Sequence, residues 1–142
     1  MKVKVSHEVP LQLLGLSETF NDYDYCLPHL LDKYPEYEAY FRQAKEKGRY
    51  IIMDNSLHEL GEAYDTPRLL HWISELKPNE FIVPDVWENS NKSVQNARTW
   101  ASVELPKEVT KVAVVQGKSY TEFATTYQAY KWFRYEKIAF SY

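Results

Sequence analysis

Five short apolar segments of this sequence each end in a polar side chain, and several of those side chains could do chemistry. The segments read CLPH, IIMD, FIVPD, VAVVQ and IAFS, and they end at His29, Asp54, Asp85, Gln116 and Ser141. Carboxyl groups can transfer protons, and a carboxamide offers both a hydrogen-bond donor and an acceptor. Because these residues recur every 25 to 31 positions, we expect them to occupy equivalent places in a repeated structural unit.

The two aspartates and the glutamine are the strongest candidates for a functional site. Two carboxyl groups at neighbouring strand ends could divide the roles of acid and base if their surroundings separated their pKa values. An aspartate that ends a strand also commonly caps the following loop. Gln116 could read the edge of a purine or an amide, and Gly117 permits either close approach of a ligand or a simple turn. The sequence leaves these alternatives open.

A metal site on the same rim would use His29, Asp54, His58 and Asp85. The segment HELGE at 58–62 lacks the second histidine of a zinc-protease helix, and no H-x-H pair ends an early strand. We therefore expect no catalytic metal and no cofactor, and a small metal-dependent hydrolase is only a third hypothesis.

Helical patterns fill most of the intervals between the apolar segments. The pattern predicts a helix through Tyr37, Tyr40, Phe41 and Ala44 that ends at Gly48. A second helix is predicted from an N-cap at Thr66, with Pro67 at its first position and an inner face of Leu69, Ile73 and Leu76. A third helix is predicted to have Val94, Ala97 and Ala101 on its inner face. A fourth follows a Ser119–Glu122 capping box and carries Phe123, Tyr127 and Tyr130.

The alternation of apolar strands and helices predicts an α/β fold with a parallel sheet. The strand segments are continuously apolar, as expected where the faces of the sheet are covered, and right-handed crossovers would place the strands in sequence order. We expect one domain over residues 1–142 that forms part of a TIM-like barrel, with about five barrel strands and an N-terminal strand over residues 2–9. YCLPH at 25–29 is predicted as a strand and 55–64 as a loop, and a doubly wound sheet is the alternative.

Composition limits the classes of partner. The chain has 142 residues, a net charge of −3, 12 Tyr and 4 Trp, so it has no long-range attraction for a phosphate backbone. The single cysteine, Cys26, excludes an internal disulfide and is typical of a reducing compartment. No apolar segment has membrane length and the start does not resemble a signal peptide, so we expect a cytoplasmic protein.

Three motifs, in their order and spacing, resemble the first half of the barrel of the tRNA-guanine transglycosylase family. MDNSLHELGE at 53–62 resembles the family's Asp-Ser-Gly-Gly-Phe segment, and PDVWENSNKSVQNARTW at 84–100 resembles its Asp-x-Cys segment and the helix that follows. The stretch from Val112 to Tyr142 resembles its Val-Gln-Gly-Gly strand, helix and next strand. The resemblance covers roughly residues 50–142.

The resemblance implies recognition of guanine or a 7-deazaguanine base for base exchange in tRNA or DNA. Asp54 matches an aspartate that contacts the base and is a candidate for proton transfer, Asp85 the aspartate that reads the guanine edge, and Gln116 the glutamine beside it. We add Gly117, Ser56 and His29 as candidate substrate-binding residues. Asn55-Ser56-Leu57 replaces the family's Ser-Gly-Gly, and Lys118 replaces its second glycine.

The resemblance also implies that these residues do not complete the reaction alone. The family's nucleophilic aspartate, specificity loop and Cys/Cys/Cys/His zinc site lie beyond the matched segment, and a covalent glycosyl intermediate needs a nucleophile. A separate C-terminal half or a homo-oligomer is therefore a candidate partner. The alternative is a non-catalytic interaction module that uses its tyrosine-rich surface or an open sheet edge to bind another protein.

Overall fold

A computed structural model describes residues 2–141, which form an α/β fold with one all-parallel sheet, as predicted. The strands follow one another in sequence order across the sheet. They are β1 (Asp24–Cys26), β2 (Ile51–Met53), β3 (Glu80–Ile82), β4 (Thr110–Val115) and β5 (Lys137–Phe140). A doubly wound sheet reverses its strand order at a switch point, whereas this order has no reversal. The topology is that of a partial (β/α) barrel.

Seven α-helices and one 3-10 helix occur within the described residues. The 3-10 helix is Leu11–Leu16, and the α-helices are α1 (Ser17–Phe20), α2 (Pro28–Lys33), α3 (Pro35–Glu46), α4 (Leu57–Leu60), α5 (Thr66–Leu76), α6 (Ser90–Ala101) and α7 (Tyr120–Trp132). No helix of this part of the chain combines the length and the apolar character needed to span a membrane.

The two faces of the sheet are covered to different extents. Alternate strand residues point into the helical layer and are at most 1% exposed: Cys26, Ile51, Met53, Phe81, Ala113 and Val115. They join one core with residues of α3, α5, α6 and α7. On the opposite face Tyr25, Ile52 and Val114 are only partly buried. The helical layer therefore holds the sheet together, and the other face is more accessible to a ligand.

Most of the predicted helices are present, with small corrections. In α3, Tyr37, Phe41 and Ala44 are buried, and Gly48 follows the helix with a φ of 73°. The N-cap of α5 is Asp65, whose carboxylate accepts from the backbone N–H of Arg68, so the prediction of Thr66 was one residue late.

The predicted inner faces of the last two helices need one correction. Trp100, not Ala101, is the buried residue at the end of α6, because Ala101 faces solvent. Ser119 caps α7 as predicted, by accepting from the N–H of Glu122. Tyr130 of α7 is buried.

The predicted N-terminal strand is wrong. Residues 2–10 form no strand; this segment is held beside the loop before β1 by isolated bonds instead of a ladder. Val5 and Asp22 exchange two bonds of 2.9 Å, and the N–H of His7 donates to Asn21 Oδ1 at 2.8 Å. Side chains accept two of these three bonds, so the alternating pattern of the segment does not lead to a backbone ladder.

Candidate functional site

Asp54, Asp85 and Gln116 follow three successive strands and meet at the carboxyl edge of the sheet. Asp54 and Gln116 come directly after β2 and β4, and Asp85 lies three residues beyond β3. All three line one cleft of about 490 Å³. The sequence predicted that these side chains would lie together, and their positions agree with that prediction.

Asp85 is held between two neutral amide groups. Its Oδ1 accepts from Asn55 Nδ2 at 2.7 Å, and its Oδ2 accepts from Gln116 Nε2 at 2.7 Å. The carbonyl oxygen of Gln116 accepts from the N–H of Glu88 at 3.1 Å, which fixes the orientation of the glutamine. Burial raises the pKa of Asp85, and the two amide donors only partly offset that effect.

Asp54 is the second buried carboxyl group of the cleft. Its Oδ1 accepts from the hydroxyl of Tyr25 at 2.9 Å, and its Oδ2 accepts from the backbone N–H of Ser56 at 2.8 Å. Burial raises the pKa of Asp54 above its ordinary value, while these two donors act in the opposite direction. A carboxyl group with a raised pKa holds its proton more firmly than an ordinary aspartate does, which favours a role as a general acid.

The segment that follows Asp54, predicted as a loop over residues 55–64, begins with a tight turn and the short helix α4. Asn55 Oδ1 accepts from the N–H of Leu57 at 2.9 Å, an Asx-turn that leads into α4. Ser56 adopts a left-handed conformation with a φ of 62°. The turn buries Asn55 beneath the cleft, next to Asp85.

Three of the predicted substrate-binding residues do not line the cleft. His29 lies in the first turn of α2 instead of ending a strand, and its Nδ1 is 2.8 Å from Ser56 Oγ. Ser56 is fully buried and does not reach the cleft. At Gly117 a Cβ atom would lie 2.8 Å from the Cβ of Glu122, so the glycine is needed for packing against α7.

Acidic and aromatic side chains line the mouth of the cleft. Glu8, from the N-terminal segment, and Glu59 lie there with His58 and Trp87, whose rings are 6.0 Å apart between centroids. Burial, followed by the nearby Glu59 and Asp54 carboxylates, raises the pKa of Glu8. The cleft therefore carries an excess of acidic groups.

The sequence reasoning missed Asn55, Tyr25 and Glu8. Asn55 follows Asp54 directly, and an Asn-Ser pair after a strand is a turn signal that could have pointed to it. Tyr25 and Glu8 gave no usable signal, because their proximity to Asp54 depends on how distant segments pack.

Metal ligands are not grouped in the described part of the chain. Within residues 2–141 no cluster of three or more His, Cys, Asp or Glu side chains is arranged to hold a metal ion. His29 and His58 are not brought together with Asp54 and Asp85 in such a cluster. The metal-dependent hydrolase therefore gains no support from the geometry.

No model of a known protein family matches this chain, and no curated protein does either.

Proposed function

We propose that the cleft binds guanine or a 7-deazaguanine base, as one part of a base-exchange reaction on tRNA or DNA. The observation that carries the proposal is the juxtaposition of Asp54, Asp85 and Gln116 in a single cleft at three successive strand ends. Ligands of parallel α/β folds bind at this edge of the sheet.

Asp85 supplies the acceptor for the base. Guanine presents an N1–H and an exocyclic amine side by side, and a carboxylate offers two oxygens to two such donors. Each oxygen of Asp85 already accepts one amide proton, which leaves each with capacity for another bond. Gln116 donates one of these two bonds and would therefore act on the base by orienting Asp85.

Asp54 is assigned the proton-transfer role. It shares the cleft with Asp85 and accepts bonds from the Tyr25 hydroxyl and the Ser56 N–H. Its raised pKa suits exchange of a proton with a bound base. We assign no nucleophile among the side chains that line the cleft, so the proposal for this chain is recognition of the base rather than the complete exchange.

The proposal is tested by titration calorimetry with 7-deazaguanine. We expect saturable binding that is lost, or weakened at least 10-fold, in Asp85→Asn, because bonds to a charged acceptor contribute about 1.5–3 kcal/mol each. Glu62→Gln is the matched control, since it removes an exposed carboxylate that does not line the cleft. Absence of binding to the wild-type protein at millimolar 7-deazaguanine would refute the proposal.

A second candidate is a self-associating interaction module, favoured by the exposed edge beside β5. Phe140 of β5 stacks on Tyr127 at 6.0 Å and is 58% exposed, and Tyr120 of α7 is 88% exposed. Within residues 2–141, strand β5 has a neighbour on one side only, and an edge strand can pair with a second copy. Sedimentation equilibrium would show a dimer that Phe140→Lys weakens; a strictly monomeric wild-type protein would exclude this candidate.

A further inference from the structure

Asp85 is oriented by neighbours on both sides. Asn55 reaches it from the end of β2 and Gln116 from the end of β4, each at 2.7 Å and each on a different carboxylate oxygen. A carboxylate that accepts one bond on each oxygen from fixed donors cannot turn about its last bond without breaking one of them. The plane of the Asp85 carboxylate is therefore set by the two amides.

Asn55 is itself immobilised. Its side chain is 1% exposed, and its Nδ2 donates to the carbonyl of Val83 at 3.1 Å as well as to Asp85. Its Oδ1 accepts from the N–H of Leu57 at 2.9 Å. Both amide protons and the carbonyl oxygen are thus used: the amide protons go to the segment that follows β3, and the carbonyl oxygen accepts from the first residue of α4.

We propose that Asn55 is a positioning residue that fixes the Asp85 carboxylate to receive two adjacent donors, an N–H and an NH2 group on one planar ring. This inference rests on the proposed function and adds the residue on which recognition of the exocyclic amine depends. A carboxylate that rotates can still accept a bond from a single N–H, but it cannot stay aligned with two donors that are held at a fixed spacing. Asn55 therefore determines discrimination between bases with and without the exocyclic amine.

The variant Asn55→Ser removes the bond to Asp85 but can keep the turn that Asn55 forms. A serine hydroxyl can still accept from the N–H of Leu57 in a similar turn, but it is too short to reach Asp85. The test measures the affinities of 7-deazaguanine and of 7-deazahypoxanthine, which lacks only the exocyclic amine. We expect the wild-type protein to prefer 7-deazaguanine by roughly 10- to 100-fold, the worth of one bond to a charged acceptor.

In Asn55→Ser we expect this preference to fall to less than threefold, chiefly through weaker binding of 7-deazaguanine. Leu60→Ala is the control, because Leu60 is an exposed residue of the neighbouring helix α4. If Asn55 had a purely structural role, its substitution would weaken the binding of both ligands equally and leave the ratio of their affinities unchanged. A wild-type ratio in a folded Asn55→Ser protein would overturn the inference while leaving base binding itself intact.

A ligand-free measurement gives a second readout. The carbon-13 carboxyl resonance of Asp85 reports its protonation, and the amide of Asn55 lowers the pKa of that group. We expect Asn55→Ser to raise the pKa of Asp85, with no change in Leu60→Ala. An unchanged pKa of Asp85 would show that Asn55 does not hold the carboxylate. If the wild-type protein bound neither base, the proposed function would fail, and the discrimination role of Asn55 would fail with it.

Discussion

The buried acidic side chains at the two edges of the sheet have different kinds of partner. At the amino edge Asp24 is 1% exposed and pairs with the Arg49 guanidinium at 2.8 Å, and Glu80 pairs with Lys137. At the carboxyl edge Asp54 and Asp85 are bonded only to neutral hydroxyl and amide groups. The amino edge is arranged for stability, whereas the carboxyl edge retains acidic groups that a ligand can engage.

The pKa values of the aspartates reflect this difference. Burial alone would raise the pKa of Asp24, but hydrogen bonds from Arg49, Ser17 and Tyr40 outweigh it and lower the pKa. Burial also dominates at Asp54 and Asp85, where neutral donors do not compensate, and both pKa values are raised. Asp24 is ion-paired, whereas the bonds to Asp54 and Asp85 come from neutral donors, and this difference separates the structural from the candidate functional aspartates.

Lys111 extends the pattern at the amino side of the sheet. Its ammonium group donates to the carbonyls of Trp100, Ala101 and Val103 at the end of α6. Burial lowers the pKa of Lys111. Cations near the last carbonyls of a helix are favourable, so this partly buried charge also has partners that stabilise the fold.

The largest effect is expected from Asp24→Asn. The substitution leaves the Arg49 guanidinium, 20% exposed, without its anion, and breaking a buried pair in this way costs about 3 kcal/mol. Urea unfolding followed by tryptophan fluorescence at pH 7 measures the loss. Because the folded-state pKa of Asp24 is lowered, its contribution is present above its ordinary pKa of 3.8 and is lost as pH falls through the folded-state value.

Asp22→Asn is the control for this measurement. Asp22 is exposed, and an asparagine can still accept the bond from the N–H of Val5. We expect it to change the free energy of unfolding by less than about 0.5 kcal/mol. A loss as small as this in Asp24→Asn would remove the contrast between the two edges.

A smaller effect of opposite sign is expected from Asp54→Asn. An asparagine can accept from the Ser56 N–H through its Oδ1 and donate from its Nδ2 to the Tyr25 hydroxyl oxygen, which reverses that bond, while the substitution removes a buried charge. We expect a gain of roughly 0.5–1 kcal/mol in the free energy of unfolding at pH 7, because functional sites commonly keep groups that lower stability. Asp65→Asn, which preserves the cap of α5, is the control.

The pH dependence of this gain has a defined direction. The folded-state pKa of Asp54 is raised, so the folded protein retains its proton at a pH where the unfolded chain has lost it. The charge on Asp54 therefore lowers the free energy of unfolding of the wild-type protein above the folded-state pKa. This loss of stability disappears as pH falls toward 3.8. A destabilised Asp54→Asn protein at pH 7 would contradict this account.

The sequence identified the strand order and the three residues that share the cleft because both depend on a regular repeat. Apolar strands with intervening amphipathic helices require a parallel sheet, and the residues that follow such strands must meet at one edge. Cys26 in its buried strand and the Ser119 cap of α7 followed from the same local rules.

The errors arose where a residue had two local interpretations. Pro28 was assigned to a strand with His29, but proline at the first helical position needs no N–H partner, and it begins α2. Gly117 was a candidate for ligand approach, whereas the position of Glu122 explains it. The roles of Asn55 and Tyr25 depend on contacts between strands, which no local pattern encodes.

The central claim is that Asp85 reads two adjacent donors of a guanine-type base. Calorimetric titration of wild-type and Asp85→Asn proteins with 7-deazaguanine at pH 7 tests it most directly. The account requires saturable binding to the wild-type protein and a loss of at least 10-fold in Asp85→Asn, with Glu62→Gln unchanged. Equal affinity of the wild-type and Asp85→Asn proteins, or no binding to either, would contradict it.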